Sequence, residues 1–196
     1  MRLFCLVFLF FSFASKATLF SETVGVVGDR VITSRELEIA SLVKQALEST
    51  KAQVPLLRYL LECAIFAEAE SFQVGGVRSE SVAADTAKVK AFFVSSGAMS
   101  RLMPTEVELR KAVQQYWVVR DYLQLKSEAL LGVISEAEAR SYFEKNRLKF
   151  GASRFEDFRE QIKKVLAEEQ RAQRLEEWYA ILRRKHSVRV LRPAKN

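Results

Sequence analysis

One histidine and two cysteines in 196 residues exclude several chemistries. His186 alone cannot build a zinc site, and Cys63 is too far off in sequence to be counted on as its partner. A Ser-His-Asp reading would rest on that one histidine, at the end of a helical stretch, where a cation near a helix C-terminus already has a structural explanation. Cys5 lies in an N-terminal apolar run, so Cys63 is the one cysteine beyond it and no intramolecular disulfide can form. The fold must therefore be held by its core, and Cys63, inside "LLRYLLECAIFAEA", reads as a small buried hydrophobe. The glycines of Gly75-Gly76 and of Gly25 and Gly28 lack the spacing of a phosphate-cradling loop. Past Ala17 no apolar run is long enough to span a bilayer. These absences point away from an enzyme, a metal site and a nucleotide or other cofactor.

The N-terminus does carry a targeting pattern. "MRLFCLVFLFFSFASKA" has Arg2, then an apolar run from Leu3 to Ala14, then Ser15 and Ala17 at the positions that precede signal cleavage. As a helix the run covers roughly 18 Å, against about 30 Å of hydrocarbon, so residues 1–17 read as a cleaved secretory signal rather than an anchor. Cleavage leaves 179 residues with 29 basic and 24 acidic side chains, a formal charge of +5. In an exported chain this excess does not argue for nucleic acid. An anionic lipid, lipopolysaccharide or acidic polypeptide is the better candidate for a partner, but charges of both signs alternate along helical stretches, which reads as ordinary solubility.

The remainder reads as one strand signal at each end with helices between. "TVGVVGDRVI" is valine-rich with Gly28-Asp29 at its centre, which reads as a hairpin turn that needs positive φ, a single bent strand being the alternative. Thr33 and Glu36 have capping-box spacing and open a helix to about Thr50, with Leu37, Ala40, Val43 and Leu47 along one side. Pro55 starts a second helix to about Gln73, apolar on most faces and so central in a bundle. A third runs from about Glu80 to Ser95. Thr105 and Glu108 open a fourth, to about Leu131. Ser135 and Glu138 open a fifth, closed by Gly151. Ser153 and Glu156 begin a long last helix ending near His186, with Phe155, Phe158, Ile162, Val165, Ala172, Leu175, Tyr179 and Leu182 on a stripe that predicts packing along its whole length. "SVRVL" then alternates as a short strand. An isolated hairpin is marginal in water, so the expected pairing sets Ser187–Leu191 against the edge of the first hairpin. Trp117 and Trp178 read as core aromatics, and Glu68, Glu70, Glu168 and Glu169 as solvated helix faces.

One apolar cluster stands apart. Met99 and Met103, with Leu102, occupy "SSGAMSRLMP", directly after Phe92 and Phe93. Methionines in a loop suit a surface that repacks against varied apolar partners, and the alternative is a connection packed on the core. Phe92, Phe93, Met99, Leu102 and Met103 are thus the candidate client-binding residues.

Three segments resemble the SurA-type periplasmic chaperones and their relatives of the PrsA and PpiD kind. "VGVVGDRVITSREL" is similar to the family's valine-rich strand, turn and helix start. "ISEAEARSYFEKNRLKF" resembles its Tyr-Phe-x-x-Asn helix. "FEDFREQIKKVLAEEQRAQRLEEWYAILRRKHSVRVL" resembles its closing helix and strand. In many relatives a parvulin-type prolyl isomerase domain lies between the last two. Here only Gly151-Ala152 separates Phe150 from Ser153, and the parvulin histidines and glycine-rich strands are missing.

The resemblance implies a mainly α chaperone core over residues 18–196, its 18–150 segment completed by the helix and strand of 153–191, with a small sheet made by both chain ends. It implies an ATP-independent periplasmic holdase that binds unfolded outer-membrane or secreted polypeptides and lacks isomerase activity. The alternative class is an envelope adaptor that docks on one folded partner.

Overall fold

The computed structural model describes residues 21–72 and 79–191. The signal-like segment 1–17 and Gly75-Gly76 lie outside the described residues. Among the described residues the order is β1 (Thr23–Val27), β2 (Arg30–Thr33), α1 (Ser34–Glu48), α2 (Leu56–Ser71), α3 (Ser79–Ser95), α4 (Ala98–Leu102), α5 (Glu106–Ala129), α6 (Glu136–Lys145), α7 (Arg147–Phe150), α8 (Phe155–Lys185) and β3 (Arg189–Val190). The chain is mainly α with one small antiparallel sheet. No described helix is long and apolar enough to cross a membrane.

The sheet joins the two ends of the described chain, in the order β2-β1-β3. Gly28, at φ 59°, turns β1 into β2. Gly25 faces Val190 and Val26 faces Arg189, while the Leu191 N–H donates to the Val24 carbonyl at 3.0 Å. Gly25 is required by space. A Cβ there would lie 2.7 Å from a Leu60 methyl and 3.1 Å from the Arg189 carbonyl oxygen. The sheet packs Val24, Val27 and Ile32 onto Tyr59, Leu60 and Ala64 of α2.

Helix starts follow the capping signals, with three changes. Thr105 and Ser135 form complete boxes with Glu108 and Glu138. Thr33 makes only half of one. Its hydroxyl accepts from the Glu36 N–H at 3.2 Å, but the Glu36 carboxylate turns to Arg30 and Tyr59 instead. Pro55 is the N-cap of α2 rather than its first helical residue. The last helix opens one residue later than its sequence suggests, where the Arg154 N–H donates to Asp157 at 3.2 Å.

Three apolar clusters make the body of the bundle. One lies among α1, α3, α4 and α5, one between the sheet and α2, and one among α2, α5 and the C-terminal part of α8. A fourth, built on Phe143, Phe155 and Ile162, joins α6 and α7 to the N-terminal part of α8. The continuous packing expected of α8 is corrected here. No residue from Lys163 to Glu177 is buried, and Val165 is exposed. The helix packs at its two ends on different partners, and between them Val165 and Ala172 of its apolar stripe are exposed while Leu175 is only half-buried.

Glu68 is a second correction. It sits on α2 but is buried, 7 % exposed, where Lys185 Nζ donates to both its oxygens at 2.7 and 2.9 Å and His186 Nε2 lies at 2.9 Å. Burial alone would raise this carboxyl, yet the hydrogen bonds from Lys185 and His186 carry it below the usual carboxylate range.

Candidate functional site

A groove of about 840 Å³ lies among the end of β2 and α1, α2 and α5. Its floor is apolar, with half-buried Ala40, Ala112 and Leu123 lying over the buried Ile39, Val43 and Val119. These residues come from helices far apart in sequence.

Its walls are fixed by paired charges. At one end Arg35 of α1 reaches α5, donating from Nη1 to Glu108 at 2.7 Å and from Nε to the Leu102 carbonyl at 3.1 Å. Glu108 also accepts from the Thr105 N–H at 2.8 Å, so one carboxylate caps α5 and ties it to α1. The Arg35 guanidinium and that N–H hold the Glu108 carboxyl down at about 2. At the other end the Tyr116 hydroxyl of α5 donates to Glu48 of α1 at 3.1 Å and accepts from Arg120 at 2.9 Å. On the α2 side Arg58 pairs with Glu62 at 3.0 Å. Where β2 meets α1 and α2, Glu36 takes Arg30 and the Tyr59 hydroxyl, the latter at 2.9 Å. Burial, the Coulombic influence of Cys63 and the nearby Glu36 raise the Tyr59 phenol far above its ordinary value, so it acts as a hydrogen-bond donor.

The lining contains no serine, cysteine or histidine. Its one threonine, Thr33, already caps α1. Cys63 stands behind the α2 wall near Gln115, its thiol pushed up to about 11 by burial, and it does not line the groove. Among the described residues no group of three acidic, cysteine or histidine side chains could hold a metal ion. An apolar floor between charged, hydrogen-bonding walls suits reversible binding of an amphipathic ligand. The ties Arg35–Glu108 and Glu48–Tyr116 are 13 residues apart on α1 and 8 on α5. As helix these stretches are roughly 20 and 12 Å long, a span of about four to six extended residues.

The five residues singled out by sequence lie elsewhere. Phe93 is fully buried and Leu102 is 3 % exposed, both in the cluster among α1, α3, α4 and α5. Phe92 and Met99 are half-buried against that cluster, and only Met103 is exposed, at 61 %. None lines the groove. The expected methionine loop is the short helix α4, whose apolar side, Ala98 and Leu102, closes over the core. Phe93 and Leu102 are thereby corrected from surface to core. Periodicity did not reveal the groove because its floor is shared by helices whose spacing in the chain is unrelated. The paired charges carried a hint, since Arg35, Glu36, Arg58 and Glu62 all flank apolar helix positions.

No protein-family model, curated protein or solved structure gives a significant match to this chain.

Proposed function

We propose that this chain is an exported, ATP-independent holdase of the periplasm, which holds short extended stretches of unfolded outer-membrane or secreted proteins without isomerising them. The observation that carries the reading is the groove among α1, α2 and α5. Its size falls within the range of about 300–1,000 Å³ typical of ligand sites. Its apolar floor offers area rather than shaped subsites, which favours tolerance of sequence. The resemblance of the opening, Tyr-Phe-x-x-Asn and closing segments to the SurA-type chaperones supports the same reading. The closure of the β1–β2 hairpin by β3 agrees with the arrangement that the resemblance implies.

The test is dilution of a urea-unfolded outer-membrane β-barrel protein into buffer with and without the chain from residue 18 onward, followed by light scattering. Suppressed aggregation at near-stoichiometric amounts, without ATP, is the expected result. Unchanged scattering in the presence of chain shown to be folded by circular dichroism would contradict the reading and turn attention to an adaptor that binds one folded partner.

A further inference from the structure

The charges that line the groove are not balanced. Arg30 is taken by Glu36, Arg35 by Glu108, Arg58 by Glu62, and Arg120 by the Tyr116 hydroxyl that in turn holds Glu48. Every carboxylate of the lining is used in these contacts. Lys44 of α1 and Lys111 of α5 also line the groove, and among the described residues neither has a carboxylate within ion-pair distance. Both fall, along their helices, between the two ties that bracket the groove. Lys44 lies between Arg35 and Glu48, and Lys111 between Glu108 and Tyr116. The groove therefore presents an apolar floor with two unneutralised ammonium groups, one on α1 and one on α5.

We propose that the groove selects extended polypeptide segments that carry carboxylates beside apolar side chains, and that Lys44 and Lys111 are the groups that select them. The inference rests on the holdase reading and names its substrate class. An apolar segment lays its side chains on Ala40, Ala112 and Leu123, the half-buried apolar residues of the lining, while Asp or Glu side chains turned outward along the same strand meet the two lysines. A cationic segment meets the same two lysines with no free carboxylate to offset them and is disfavoured. Half-exposed ion pairs of this kind are modest and salt-sensitive, so they bias the choice of segment without making binding tight.

The experiment is fluorescence anisotropy of the whole chain with labelled peptides of about eight residues, long enough to cross the groove. They share one alternating apolar pattern and carry two Glu, two Gln or two Lys. The two-Glu peptide is expected to bind roughly tenfold tighter than the two-Gln peptide at low salt, about threefold for each exposed pair, with the gap closing in about 0.5 M salt. Lys44→Gln with Lys111→Gln, the first half-buried and the second exposed and neither part of the core, removes the preference. Lys44→Glu with Lys111→Glu transfers it to the two-Lys peptide. Equal binding of all three peptides, blocked by a bulky substitution at Ala112 on the floor, would overturn the charge preference while leaving the holdase standing. Failure of folded chain to bind any of the peptides would overturn both. Binding to phosphatidylglycerol vesicles but to no peptide would replace the peptide with an anionic lipid surface.

Discussion

Glu68 of α2 and Lys185 of α8 are 117 residues apart in sequence and joined by two hydrogen bonds of 2.7 and 2.9 Å, in a site where the carboxylate is buried. Lys185 ends α8, His186 caps it, and the Gly28 N–H donates to the His186 carbonyl at 2.6 Å. The pair thus holds the end of α8 where β3 can reach β1. Lys185→Ala combined with His186→Ala leaves Glu68 buried without a donor from α8. The cost should be about 1–2 kcal/mol, less than for a fully buried pair because Lys185 is half-exposed. Urea unfolding checks the size, and amide exchange at Leu191 should rise more than exchange at Val113.

Gly25→Ala probes the same junction from the sheet side. The added methyl meets Leu60, which is fully buried and has little room to turn, and the Arg189 carbonyl of the neighbouring strand. Destabilisation by about 1–3 kcal/mol is expected from overpacking. Gly28→Ala meets no atom within 4 Å and costs only what its positive φ of 59° demands, about 1 kcal/mol. Thermal melts of the two variants should rank in that order.

Phe93 and Met103 separate core from surface among the residues that sequence grouped together. Phe93→Ala opens a cavity in the cluster among α1, α3, α4 and α5 and should cost about 3–5 kcal/mol. Met103→Ser, at an exposed position, should change stability by no more than about 0.5 kcal/mol. If Met103→Ser also leaves client affinity unchanged, client binding does not depend on that end of α4.

Acid should loosen the groove before it unfolds the chain. The Glu108 carboxyl is held at about 2 in the fold against 4.5 ordinarily. A depressed carboxylate stabilises the folded state above its unfolded value and loses that contribution as pH falls through the folded one. Stability from the Arg35–Glu108 tie is therefore complete above about pH 5 and lost progressively between about 4.5 and 2. Melting temperature followed across this window should fall less steeply in Glu108→Gln, which has already lost the tie at neutral pH.

What the sequence made legible was local or terminal. Thr105 with Glu108 and Ser135 with Glu138 set their helix starts as the spacing predicts, because a capping box is closed within four residues. The pairing of the last strand with the first followed from the instability of a lone hairpin. The burial of Glu68 was not legible, since its donors come from the far end of the chain. The stripe on α8 overstated packing because periodicity gives the apolar side of a helix but not whether a partner lies beside each turn. The groove escaped for the same reason, since the distance between α1, α2 and α5 decides whether their shared face is filled or open.

The central claim is that unfolded polypeptide occupies the groove among α1, α2 and α5. The most direct measurement is photo-crosslinking of a urea-diluted outer-membrane β-barrel protein from a benzophenone side chain placed at Lys111 on the exposed edge of the groove, at Met103 beside α4, or at Leu148 on the exposed face of α7. Adducts concentrated at Lys111, and competed away by a second unfolded polypeptide, are the predicted result. Equal labelling from all three positions, or labelling from Leu148 alone, would contradict the account.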